Sequence, residues 1–164
     1  MRQARQCGFS LVELLIVVAV ILVLAAAAIP NLIKARIAAN EASATATMKT
    51  INLAVGVYAA TYDYGFPDHL HKLAPPRRGR PTTYTAAGLL DPQLAGAAGD
   101  HIFVKSGYVF TYSPDGSFGS IGEYTLEAQP VARGSSGIRS FYTDQDFVIR
   151  ANATTSATVS DNPI

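Results

Sequence analysis

The chain has 164 residues, 13 basic against 12 acidic residues and a net charge of +1. This near balance excludes a global charge that would indicate nucleic-acid binding or a disordered acidic tail. Charged residues make up 15% and hydrophobic residues 49%, which predicts an uninterrupted apolar stretch in a chain of one domain, or one small domain with an appendage. The only cysteine, Cys7, excludes a disulfide framework and a cysteine zinc site.

An apolar run follows a short basic segment. Residues 9–29 carry a single charge, Glu13, and as a helix they would cross the hydrocarbon core of a bilayer, which is about 30 Å thick. Arg2 and Arg5 precede the run without an acidic residue, which places this end on the cytoplasmic side. Three interpretations are open: a secretory signal peptide cleaved near residues 25–28, a plain membrane anchor, and a precursor cleaved before the apolar run.

Glu13 favours the third interpretation. A carboxylate near the centre of a spanning segment costs about 2.5–3.5 kcal/mol, and such residues usually have a functional reason to be there. Cleavage after Gly8 would create an α-amine on Phe9, and a helical i, i+4 relation would bring Glu13 close to it. The amine could equally pair with Glu13 of a neighbouring copy. Neither a signal peptide nor a plain anchor gains anything from this charge.

The order of these features resembles a known family signal. Residues 8–13, Gly-Phe-Ser-Leu-Val-Glu, follow a basic leader and precede an unbroken apolar helix, as in type IV pilins and type II secretion pseudopilins. The resemblance implies cleavage between Gly8 and Phe9, N-methylation of Phe9, an assembly role for Glu13 and a helix bend at Pro30. Many type IV pilins also close a C-terminal loop with a disulfide, and a chain cleaved after Gly8 would hold no cysteine. This departure favours a pseudopilin or a disulfide-free pilin.

The helical pattern continues beyond Pro30, which cannot donate an N–H and should bend or locally break the helix. Residues 30–62 carry an amphipathic stripe at helical spacing, made of Ile33, Ile37, Ala44, Met48, Ile51, Val55, Tyr58 and Tyr62. We therefore predict a helix to about residue 62, whose first half protrudes into a membrane or a bundle of copies.

The rest of the chain is rich in glycine and proline. Residues 63–101 predict an irregular connecting region, and residues 102–150 predict an antiparallel β meander with strand-like runs at 107–112, 123–129, 138–143 and 147–150. The Ser/Thr-rich residues 151–164 predict a mobile tail. The expected fold is α+β and pilin-like: a long N-terminal α-helix, transmembrane in its first half, packed against a small antiparallel β-sheet.

Few residues outside the apolar run suggest chemistry. The chain has no G-x-S-x-G, no H-E-x-x-H and no phosphate-binding glycine loop, so we do not expect an enzyme. His69 and His71 could begin a metal site, but no further ligand lies near them in the sequence and we expect an exposed loop. Asp144 and Asp146 are spaced as calcium ligands often are, and the resemblance to major pseudopilins makes calcium a candidate cofactor.

A short basic loop lies in the connecting region. The sequence Arg-Gly-Arg-Pro at residues 78–81 resembles an AT-hook, so Arg78 and Arg80 are candidates for contacts with a DNA minor groove. Some pili bind DNA during uptake. An exported protein is nevertheless in the wrong compartment for chromatin, so we expect a solvated loop and no nucleic-acid partner.

These features predict a structural subunit of a type IV pilus or a type II secretion pseudopilus. The resemblance implies a prepilin peptidase, an assembly ATPase with its platform protein, and other copies of the chain in a helical filament as partners. It also implies an inner-membrane protein with one spanning segment and a periplasmic head that later enters the pilus or pseudopilus. The alternative is a monomeric, inner-membrane-anchored periplasmic binding domain, which would tolerate the removal of Glu13.

Overall fold

The computed structural model describes residues 9–97, 99–116, 119 and 121–164. The chain divides into two compact units, one that ends at Arg36 and a second, Ile37–Ile164, which we call the head. Helix α1 (Leu11–Tyr62) contributes its first part to the first unit and its second part to the head. The helix continues through Pro30, so the predicted local break is wrong, and a bend at Pro30 stays a prediction. A proline inside a helix removes one backbone hydrogen bond and clashes with the carbonyl one turn earlier, which together cost about 3 kcal/mol. This cost does not interrupt the helix at Pro30.

In the head, α1 buries the stripe that its sequence predicts. The buried members of the stripe are Ile37, Ala44, Met48, Ile51, Val55 and Tyr58. Their spacing places them on one face of the helix, and all but Ile37 join the sheet residues in a single hydrophobic cluster. Ile33, by contrast, is exposed and belongs to the first unit. The amphipathic half of the helix thus forms one wall of the core.

The sheet is an antiparallel meander. Its strands are β1 (Ile102–Lys105), β2 (Tyr108–Asp115), β3 (Glu123–Pro130), β4 (Ser140–Asp144) and β5 (Arg150–Asn152), and they are hydrogen-bonded in that order. Alternate residues of the central strands face the helix because successive side chains of a strand point to opposite faces. The buried ones include Tyr108, Phe110, Tyr112, Tyr124, Leu126 and Ala128. The α+β, pilin-like fold is therefore confirmed.

Two parts of this sheet differ from the sequence-based prediction. β1 is a short strand that has no clear alternation, since its residues are mostly exposed at the edge of the sheet. The last strand begins at Arg150, whereas the sequence pattern predicts a strand at residues 147–150. Phe147 has a φ of +60°, a left-handed conformation that a regular strand does not contain.

The last fourteen residues return to the sheet instead of leaving it. The guanidinium group of Arg133 donates to the carbonyl of Thr155 at 3.0 Å, and Ala157 is buried. The N–H of Ile164 donates to the carbonyl of Ile149 at 3.0 Å. A Ser/Thr-rich segment can thus contact the sheet through its backbone without large apolar side chains. The mobility predicted for residues 151–164 stays a prediction.

The connecting region is tied to the core by leucines and by tyrosine hydroxyls. It contains a 3-10 helix (Leu70–Leu73) and a short helix α2 (Pro92–Ala95). The hydroxyl of Tyr58 on α1 donates to the carbonyl of Tyr84 at 2.8 Å, and that of Tyr112 on β2 donates to the carbonyl of Pro67 at 2.6 Å. Burial raises the pKa of Tyr58 to about 12, so this hydroxyl keeps its proton and remains a donor at neutral pH.

Buried polar groups on α1 fix its position against the sheet. Asn52 donates to the hydroxyl of Thr143 at 2.9 Å and accepts from the hydroxyl of Tyr124 at 3.0 Å. Glu41 is 8% exposed and accepts from the N–H groups of Ile138 and Arg139 at 2.9 and 3.0 Å. The side chain of Arg139 adds a charged hydrogen bond to Glu41 at 2.8 Å. Helix and sheet are therefore joined at two defined points.

The turn that reaches Glu41 depends on Gly137. A Cβ at this position would collide with the hydroxyl of Tyr108, which donates to the carbonyl of Arg139 at 2.7 Å. Burial by itself would raise the pKa of Glu41, but the hydrogen bonds from Arg139 and Ile138 outweigh it and lower the pKa from its ordinary value of 4.5. The contribution of ionised Glu41 to the free energy of unfolding is therefore fully present above pH 4.5. It is lost as the pH falls through the lowered pKa of Glu41 in the folded state.

The contact at Glu41 can be tested by replacement. Glu41→Gln should lower the free energy of unfolding of the head by roughly 2 kcal/mol, because the buried N–H donors and the guanidinium lose a charged acceptor. Chemical denaturation of the full chain in a non-ionic detergent measures this through the near-UV circular dichroism of its 8 tyrosines. The matched control is Glu127→Gln on β3, a more exposed glutamate, with an expected change within about 0.5 kcal/mol. An equal decrease in the free energy of unfolding in both variants would contradict the stabilising role of Glu41.

Candidate processing and assembly site

The first unit presents an apolar helix surface. Phe9 is 79% exposed, and nearly all the large apolar side chains from Leu11 to Ile33 are exposed as well. The sequence forms a helix here because leucine and alanine favour it and no glycine interrupts residues 9–36. α1 is long and apolar enough to cross a membrane, with a mean hydropathy of 3.1 over its most apolar window. Such a surface has to be covered by lipid or by other apolar helices.

The start of the helix presents Glu13. The carbonyl of Ser10 accepts from the N–H of Leu14 at 3.2 Å, so the helix begins directly after Ser10. Glu13 lies in the first turn and is exposed. Its charge is favourable there because the N-terminal end of a helix carries a partial positive charge. Among the residues that the structure describes, no ion pair involves Glu13. Gly8, the residue before the predicted cleavage, lies outside the described residues.

Asp144 and Asp146, the calcium candidates, lie at the end of β4. Asp144 is buried, and its carboxylate accepts from the N–H of Asp146 at 3.1 Å. The carbonyl of Asp144 also accepts from the N–H of Phe147 at 2.9 Å. In the described part of the chain, no three His, Cys, Asp or Glu side chains are arranged to hold a metal ion. The carboxylate of Asp144 is thus engaged in its own turn, and calcium binding at this pair stays a prediction.

The histidines are gathered in one place. The ring centroid of His69 lies 5.6 Å from that of His71 and 4.4 Å from that of His101. The Nδ1 atom of each ring is buried and has no hydrogen-bond partner among the described residues. His69 and His71 are half-buried, so the predicted exposed loop is wrong here. Leu70 between them is buried in the core and holds both neighbours against the head.

The cluster changes the charge state of His69. Burial lowers the pKa of His69; positive charge on His101, His71 and Lys72 lowers it further, and together these effects exceed the opposite influence of Asp68. Asp68 itself pairs with Lys72, whose Nζ lies 2.8 Å from its Oδ1. His101 is brought in by the strand that follows it, and nothing in the local sequence links it to the other two.

The basic loop is exposed, and its arginines divide into two groups. Arg77 and Arg80 line a cleft of about 430 Å³, whereas Arg78 does not line it. Of the two arginines that the sequence singles out, Arg78 and Arg80, only Arg80 lines this cleft. Minor-groove contact by Arg78 and Arg80 stays a prediction.

Comparison with known proteins points to the N-terminal segment. A family model described as the prokaryotic N-terminal methylation motif matches residues 3–29. Over 46 residues the chain is 56% identical to the type IV wide pilus major component PilA4 of Thermus thermophilus. The matched stretch is 28% of this chain and 34% of that protein, so the similarity spans about a third of the relative. No solved structure matches the chain. The two matches support the type IV pilin family, as the resemblance at residues 8–13 implied.

The histidine cluster leads to a prediction about pH. Because the folded pKa of His69 lies below its ordinary value of 6.5, the unfolded chain binds more protons as the pH falls below 6.5. The free energy of unfolding of the head should therefore decrease on acidification through this range. His69→Gln should flatten the profile and leave the free energy of unfolding at pH 8 nearly unchanged, since His69 is then neutral in both states. Denaturation curves at a series of pH values measure this, and parallel profiles for the two proteins would contradict it.

Proposed function

We propose that the chain is a structural subunit of a type IV pilus, processed at its N-terminus and assembled into a helical fibre through the first half of α1. The observation that carries the proposal is the uncovered apolar helix with a carboxylate in its first turn. Lipid would cover the helix before assembly, and the helices of other copies would cover it afterwards. The similarity to a named pilus component over 46 residues supports the same function.

Glu13 separates a filament subunit from a simple anchor. An anchor gains nothing from a carboxylate in its apolar segment, because a charge held within the membrane is costly. A subunit gains a partner for the α-amine that cleavage creates on Phe9. If the amine of an incoming copy pairs with Glu13 of its neighbour, both charges are neutralised, and the axial position of the new copy is set. The monomeric anchored binding domain has no use for this pair.

The proposed route needs several partners. A prepilin peptidase would cleave between Gly8 and Phe9 and methylate Phe9 while residues 9–29 span the inner membrane with the head in the periplasm. An assembly ATPase with its platform protein would then extract the subunit into the fibre. A type II secretion pseudopilus is the second candidate, favoured by one feature: Cys7 precedes the cleavage position, so the mature chain would contain no cysteine.

Processing can be tested on the purified protein. The mature chain should begin at Phe9 and carry one added methyl group, which intact mass and N-terminal sequencing measure directly. Gly8→Leu should leave the precursor uncut, because the side chain would occupy the position that the peptidase requires to be empty, whereas the neighbouring control Cys7→Ser should be processed normally. A mature N-terminus at or beyond Ile29 would indicate a secretory signal peptide and would overturn the proposal.

Assembly can be tested at Glu13. Glu13→Ala should be inserted and cleaved normally, since a more apolar segment inserts more readily, yet it should yield few or no filaments. Glu13→Gln, which keeps the size and removes the charge, should behave in the same way. Shearing of cells followed by fractionation measures filament against membrane-bound mature subunit. Ser10→Ala in the preceding turn is the matched control and should assemble. Filaments as abundant in Glu13→Ala as in the wild type would rule out the charge pair.

A further inference from the structure

A cleft in the connecting region of the head is lined by arginines. Arg77 and Arg80 face it together with Thr83 and Thr85, and prolines 76 and 81 form apolar walls. The volume of the cleft is about 430 Å³, which suits a small group or one unit of a polymer. Among the described residues, no acidic side chain contributes to the lining.

The backbone brings the two arginines together. The N–H of Arg80 donates to the carbonyl of Arg77 at 3.0 Å, which closes a turn with Arg78 and Gly79 at its tip. Gly79 has a φ of +84°, a value that glycine adopts readily and that the third position of a type II turn requires. The turn therefore places Arg77 and Arg80 side by side at its base, while Arg78 remains at the tip.

The three arginines of this region have no acidic residue close to them in the sequence. Residues 69–90 include Lys72 and three arginines but no aspartate or glutamate. The nearest preceding acidic residue in the sequence, Asp68, is already paired with Lys72. Within the described residues, neither Arg77 nor Arg80 forms an ion pair. Both arginines line the cleft, so an anion bound there would be attracted to two positive charges.

The cleft also contains the hydroxyl groups of two threonines, whose backbone is held in place by hydrogen bonds. The hydroxyls of Thr83 and Thr85 lie 3.0 Å apart, so one donates to the other and a second hydroxyl hydrogen can serve a ligand. Thr83 and Ala86 exchange two backbone hydrogen bonds of 3.1 and 2.9 Å. The carbonyl of Tyr84 is held by the hydroxyl of Tyr58 on α1. The threonine side of the cleft is thus anchored to the core of the head.

We infer that this cleft is a binding site for a phosphate group, held by Arg77 and Arg80 with a threonine hydroxyl as an additional donor. Planar guanidinium groups match the geometry of phosphate oxygens, and the hydrogen bonds are charge-assisted. The group can come from a free phosphate compound or from a phosphodiester backbone, since both present the same oxygens. The inference is independent of filament assembly.

The test uses the full chain in non-ionic detergent and two probes, tripolyphosphate and a short DNA duplex. Calorimetric titration at low salt should show tripolyphosphate binding to the wild type. Arg77→Gln/Arg80→Gln should weaken it by about tenfold or more, the scale expected when charge-assisted hydrogen bonds are removed. Arg78→Gln is the matched control, because it removes a charge from the same turn but not from the cleft, and it should retain most of the affinity.

The duplex identifies the source of the phosphate. If the duplex also binds and loses affinity in the double variant but not in Arg78→Gln, the site accepts a phosphodiester backbone, and removing two contacts should reduce the salt dependence by about two counterions. Binding of tripolyphosphate alone would support the site with a free phosphate compound as its ligand. Absence of tripolyphosphate binding, or equal losses in Arg78→Gln and the double variant, would overturn the inference.

Discussion

The head depends on covering one face of α1. Met48, Ile51, Val55 and Tyr58 are completely buried, and full burial of a large apolar side chain is worth about 1.5–3 kcal/mol relative to exposure. The helix cannot obtain this stabilisation alone, and neither can the sheet, whose inward tyrosines and leucines would otherwise face water. A five-stranded meander is a direct solution, because each strand follows its neighbour with a short connection and adds alternate side chains to the same face. The connecting region then closes the remaining side of the core with its own leucines.

The general architecture could be predicted from the sequence because it depends on repeating patterns. The stripe from Ile37 to Tyr58 has a helical period, and β2 alternates large aromatic residues with smaller ones. In each element the pattern therefore predicts which face is buried. The return of the tail could not be predicted in this way. It depends on hydrogen bonds from Arg133 to distant carbonyls, and carbonyls are present at every residue regardless of sequence. Hydrogen bonds from a side chain to backbone carbonyls therefore cannot be predicted from the composition of the segment that accepts them.

The candidate sites follow the same division. Residues 8–13 form a local pattern, and the match to the methylation motif at residues 3–29 agrees with it. The histidine cluster and the arginine cleft are products of folding. His101 joins the cluster from the residue before β1. Arg77 and Arg80 line the cleft together because the turn that the N–H of Arg80 closes onto the carbonyl of Arg77 begins and ends at these two residues. A linear motif such as Arg-Gly-Arg-Pro identifies a charged loop, but the turn geometry decides which of its arginines act together.

The two carboxylates of α1 illustrate one physical rule in two settings. A carboxylate that leaves water needs donors, since an unpaired buried charge is strongly destabilising. Glu41 obtains its donors from a turn nearly a hundred residues away in the sequence, and only the folded head reveals them. Glu13 has no ion-pair partner among the described residues, and it is the only charged residue in the apolar run of residues 9–29, so its need for a donor outside water is already visible in the sequence. The first carboxylate is satisfied by folding of one chain. Once the apolar half of α1 is covered by lipid or by other helices, the second carboxylate needs a donor there. The α-amine proposed on Phe9, of the same chain or of a neighbouring copy, would supply it.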